Sequence, residues 1–130
     1  DEDWYHIHAN ETWELWCGTP FVSGECTYRF TVTLTPPAGA THTDWEICLH
    51  EFEDDDCSGT AVGTPICSEA SDWDASSGRY EFTAIWDGVC AQDDDRHFYA
   101  AIRPTGSATI NDCNEYSATF QLAFTDEDCE

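Results

Sequence analysis

The sequence predicts an all-β protein: an antiparallel β-sandwich, jelly-roll or immunoglobulin-like, of about seven to nine short strands. Three observations predict it. Apolar residues recur with period two in several separate stretches, and no segment carries a helical period. Clusters of Gly, Pro, Asp and Ser fall between those stretches, where the chain must reverse. Eight cysteines are spread along 130 residues with no CxxC pair among them. That spacing excludes zinc-ribbon, thioredoxin and c-type haem motifs and reads as disulfide staples.

The strands are justified in chain order. Tyr5, Ile7 and Ala9 alternate with Trp4, His6 and His8, and Thr12 to Cys17 is one further short strand. Tyr28, Phe30, Val32 and Leu34 alternate with threonines and Arg29, a half-buried strand that Pro36, Pro37 and Gly39 close. Trp45, Ile47 and Leu49 alternate with Glu46, Cys48 and His50. Ala61 to Cys67 is extended, and Pro65 places it at a sheet edge. Ser71 to Gly78 reads as a loose surface loop. Tyr80, Phe82, Ala84 and Trp86 form the next stripe, and Phe98, Ala100 and Ile102 the one after it. Tyr116, Ala118, Phe120, Leu122 and Phe124 form the last.

One domain spanning 1–130 accounts for this length, with residues 1–17 as a segment able to extend or exchange. The chain opens at Asp1 without a basic and apolar leader, which reads as a mature secreted chain or an excised domain. No apolar run reaches membrane-spanning length, so no membrane insertion is expected. The formal charge is −23, with 27 acidic residues against four arginines and no lysine. Such a surface repels nucleic acid and anionic lipid. The absence of lysine removes Schiff-base and P-loop chemistry. With 41% apolar and 14% aromatic residues, the composition is that of a folded chain.

The cysteines are Cys17, Cys26, Cys48, Cys57, Cys67, Cys90, Cys113 and Cys129. Eight cysteines allow 105 pairings, and local ones are favoured. Cys17 with Cys26, and Cys57 with Cys67, each bracket a short loop. Cys48 lies opposite the core face of its strand and could staple to a neighbour such as Cys90. Cys113 with Cys129 requires the chain to fold back across roughly 50 Å of extended strand, at about 3.3 Å per residue.

Calcium is the expected ligand, because hard cations take several carboxylate oxygens from loops. The candidates are Asp54, Asp55 and Asp56, then Asp93, Asp94 and Asp95, with Asp72 and Asp74 behind them. None has EF-hand spacing, and loop aspartates are common in so acidic a chain. His6 and His8 lie two apart on a strand, so both imidazoles share one face. They could hold zinc or copper if His42, His50 or His97 arrived as a third ligand; edge-strand histidines facing solvent are the plainer reading. Trp4, Trp13, Trp16 and Trp73 do not fit the core stripes. They suit a protein interface or stacking on sugar rings, or else cap the sandwich ends. Asn10-Glu11-Thr12 is a glycosylation sequon. No HExxH or GxSxG motif occurs, and the cysteines read as spent in disulfides, so no enzyme is expected.

Three stretches resemble the bacterial pre-peptidase C-terminal domain. Asp3-Trp4-Tyr5 is similar to its opening strand. Asp44 to His50, followed by Glu53-Asp54-Asp55-Asp56, resembles its central strand and Asp-rich loop. Phe98 to Gly106 and Tyr116 to Leu122 resemble its closing pair. The eight cysteines and the tryptophans around Trp13 and Trp16 depart from that pattern. The resemblance implies a non-catalytic module for export, surface attachment or ligand binding, with calcium held by Asp-rich loops in some relatives. The expected role is a secreted structural or adhesive module acting through protein contacts. That role extends to the repeating subunit of an extracellular filament built by strand addition. A calcium-dependent carbohydrate-binding module is the alternative.

Overall fold

The structure is a computed structural model that describes residues 2–9, 25–52, 60–89, 96–105 and 115–125. Among the described residues, eight strands run in the order β1 (Asp3–Ala9), β2 (Glu25–Thr35), β3 (Trp45–Phe52), β4 (Ile66–Cys67), β5 (Trp73–Asp74), β6 (Arg79–Val89), β7 (Arg96–Pro104) and β8 (Ser117–Thr125). A 3-10 turn at Ala70–Asp72 precedes β5. The strands make two four-stranded antiparallel sheets, ordered β1-β7-β3-β4 and β5-β6-β2-β8. Each of the five long strands after β1 lies in the sheet opposite the long strand before it. Strand partners are therefore far apart in the chain: Asp3 faces Ile102, and Thr27 faces Thr125.

The stripes read from the sequence become the core. Phe30, Val32 and Leu34 of β2 and Phe82 and Ala84 of β6 face Ile47 and Leu49 of β3 and Phe98, Ala100 and Ile102 of β7. Phe30 stacks on Phe98 across the sandwich at 5.0 Å between ring centroids. The β8 stripe, with Ala118, Phe120 and Leu122, is only partly buried and packs against this core from the edge of its sheet.

The sandwich side bounded by β1 and β8 is tied by polar contacts. The Tyr116 hydroxyl donates to Asp3 Oδ2 at 2.7 Å, which leaves Tyr5 to donate to Tyr116 Oη at 2.6 Å. Burial, then these hydrogen bonds, push the Tyr116 phenol well above its ordinary pKa. Burial does the same for Tyr80, helped by Asp44, Asp72 and Glu46. A phenol held neutral in the fold lends stability below its unfolded value of 10.0, and that stability is lost as pH rises beyond it. In a spectrophotometric titration of the native protein, Tyr80 and Tyr116 are expected to stay protonated past pH 10.0, and to titrate normally once the chain is unfolded. Ionisation of all five tyrosines together at the ordinary value would refute this.

Two expectations need correction. Cys48 is bonded to Cys67, with Cα atoms 4.0 Å apart. Cys57–Cys67 and Cys48–Cys90 are therefore not the pairs. The reason is register: β3 and β4 place Cys48 directly opposite Cys67. Cys17, Cys57, Cys90, Cys113 and Cys129 lie outside the described residues. Ser71 to Gly78 is also not loose. It contains the end of the 3-10 turn, strand β5 and a tight reversal in which the Gly78 N–H donates to the Asp74 carbonyl. Gly78 has φ of 66°, a conformation L side chains adopt with difficulty.

Candidate functional site

The two outer faces of the sandwich differ. Beyond β2 and β6 the outward residues are mostly polar, with Ile85 the exception at 55% exposed: Thr27 bonds Asp87, and Thr31 meets Thr83. The outer face of the β1-β7-β3-β4 sheet is aromatic and histidine-rich. Strand alternation sends Trp4, His6 and His8 of β1 outward, opposite the side on which Ile7 packs into the core. On β7 the outward set is His97, Tyr99, Ala101 and Arg103, and on β3 it is Glu46, Cys48, His50 and Phe52.

Register arranges these residues in rows across three strands. His8 faces His97, which faces Phe52. His6 faces Tyr99, which faces His50. Trp4 faces Ala101, which faces Cys48. The rings then touch. His8 lies 4.2 Å from His97, and His6 lies 4.7 Å from Tyr99 and 5.6 Å from His97, measured between ring centroids. Phe52 meets Tyr99 edge-on at 5.2 Å. Across the small Ala101, Trp4 reaches His50 at 5.1 Å. Tyr99 points outward yet is only 8% exposed, so this face carries an aromatic layer of its own. Arg103, paired with Glu46 and Glu2, closes one end of it.

The other sequence candidates fall elsewhere. His42 stands near Trp73, and its carbonyl accepts from the Tyr80 hydroxyl. Trp73 packs edge-on against Tyr80 at 5.0 Å and joins Trp45 and Trp86 against the core, which leaves Trp4 as the exposed indole among the described residues. Asp74 accepts from the Ser76 N–H and from the Ser76 and Ser77 hydroxyls, the Ser77 bond being the largest cause of a carboxyl held below the ordinary range. Asp72 accepts from the Glu69 N–H. Both carboxylates are thus engaged in local turns. Among the described residues, the one group of three metal-ligand types whose ligand atoms all lie within 4.8 Å of one another is Glu46, Cys48 and Cys67, and its sulfurs are joined in the disulfide. Asp54, Asp55, Asp56, Asp93, Asp94, Asp95, Asn10, Trp13 and Trp16 lie outside the described residues.

Sequence reasoning put His6 and His8 on one face and named His42, His50 or His97 as a possible third ligand; of these His97 meets them and His42 stands elsewhere. It missed Tyr99 and Phe52. The signal was present: period-two alternation in β7 puts Tyr99 on the side away from Phe98 and Ala100.

No family model matches the chain, and no curated protein or solved structure matches it either.

Proposed function

We propose that this chain is a non-catalytic extracellular module, structural or adhesive, that associates with protein through β1 and its aromatic face. In its fullest form it is the repeating unit of a filament built by strand addition. The observation that carries this reading is β1 itself. Among the described residues it is the outermost strand of its sheet, seven residues long, with Trp4 52% and Tyr5 43% exposed. An edge strand leaves a row of backbone donors and acceptors ready for another strand. Exposed aromatic side chains beside it supply the area that makes such contacts specific. A disulfide suits an oxidising compartment.

Copies carrying −23 each repel one another, so self-association is expected to rise with ionic strength and calcium. Sedimentation equilibrium over a wide concentration range, with negative-stain imaging, tests this. The expected result is concentration-dependent assembly that is lost when Trp4→Lys and Tyr5→Lys put charge on the edge strand while the melting profile stays cooperative. A wild-type chain that stays monomeric under all these conditions, or a lysine variant that assembles unchanged, overturns the proposal.

A further inference from the structure

We propose that His6, His8 and His97 form a binding site for a transition-metal ion of the class that prefers imidazole, Zn2+ or Cu2+. The residues come from two paired strands with fixed register. His6 and His8 are next neighbours on one face of β1, and His97 of β7 lies directly opposite His8. In such a pair the Cβ atoms are about 4.5–5.5 Å apart, and the diagonal neighbour is about 7–8 Å away. Three imidazoles on that triangle can converge on one point above the sheet.

Two of the three side chains already approach that arrangement. His6 Nε2 and His97 Nδ1 are 3.4 Å apart. Two nitrogens bound to one tetrahedral zinc at about 2.0–2.1 Å lie about 3.3–3.4 Å from each other. The spacing therefore fits a shared ion, and rotation of the two rings brings both lone pairs onto it. The His8 ring, 4.2 Å from that of His97, must rotate further to supply the third nitrogen. His6 and His8 are exposed on the solvent side, and the turn of the His8 ring exchanges its stacking on His97 for a bond to the ion. Three protein ligands leave a fourth position open to water or another donor.

The surroundings favour a cation. The chain carries −23, which concentrates divalent ions near its surface. The nearest residue of opposite tendency in sequence is Arg96, whose guanidinium is engaged by Glu51 and lies over the Trp86 ring, on the core side of β7. Tyr99 beside His6 gives the site a rigid floor. A role limited to covering Tyr99 would need stacking rings alone and would give no metal affinity.

The test uses the whole chain with its disulfides intact. Zn2+ and Cu2+ are titrated calorimetrically in excess Ca2+, which occupies the carboxylates but competes weakly for imidazole. One equivalent is expected to bind. His6→Ala, His8→Ala and His97→Ala are each expected to weaken binding by at least about a hundredfold, the upper end of the cost of losing a mere supporting contact to a ligand. His42→Ala, at the site near Trp73, is expected to leave binding unchanged. Melting curves of the metal-free variants confirm that each is folded. As a second readout, Cu2+ should broaden the imidazole resonances of His6, His8 and His97 before those of His42 and His50. Absence of binding in calcium, unaltered binding in any one of the three variants, or equal broadening of all five histidines would overturn the site.

Discussion

Replacing Phe30 with alanine is expected to destabilise the protein by about 3–5 kcal/mol and to lower its melting temperature by roughly 15 °C. Phe30 is 2% exposed and stands on β2 at the centre of one sheet. Its ring stacks on Phe98 of the opposite sheet and lies 6.2 Å from Phe120 of the neighbouring strand. Alanine removes the transfer energy of the ring and leaves a cavity that neither sheet can close without breaking strand register. Phe30→Leu keeps most of the volume and should lose much less. Chemical denaturation of the three proteins measures this. An alanine variant within about 1 kcal/mol of wild type would mean that the two sheets do not meet at this ring pair.

Removing the Cys48–Cys67 bond is the second large effect. The bond closes a loop of 19 residues, which corresponds to about 3 kcal/mol of restricted unfolded-chain entropy. Cys48→Ala with Cys67→Ala is expected to melt about 10 °C lower than wild type. Non-reducing peptide mapping should recover Cys48 and Cys67 in one linked fragment. Recovery of Cys67 joined to Cys57 would contradict the β3–β4 register directly. The double variant should keep the His6–His97 contact, because β4 lies on the far side of β3 from β7 and β1.

The fold class was legible because side-chain alternation is a local property of the chain. Tyr28 to Leu34 announces a strand with one buried face, and that face is the one buried. Partners were not legible, because alternation marks a face without naming what lies beside it. Nothing in β2 says that it sits between β6 and β8. The disulfide was misread for the same reason. Cys57 is nearer to Cys67 in the chain, but a two-residue strand paired with β3 brings Cys48 across. The Asp74 turn was read as loose because Asp, Ser and Gly suit loops, while the bonds from Ser76 and Ser77 that close it depend on geometry. At the candidate site, the shared face of His6 and His8 followed from spacing. That His97 meets them, while His42 stands elsewhere, follows only from the β1–β7 pairing.

The alternation of long strands between the two sheets also sets a clock. A chain emerging from its N-terminus completes β1 and β2 early, yet β1 cannot pair until β7 exists, and one flank of β2 waits for β8. Closing loops of this length comes before any contact can reward it, and folds dominated by distant pairings take milliseconds to seconds. For most of that interval β1 is a finished strand with an unoccupied partner position. The order of synthesis therefore leaves β1 without a partner in its own domain for longer than any other long strand.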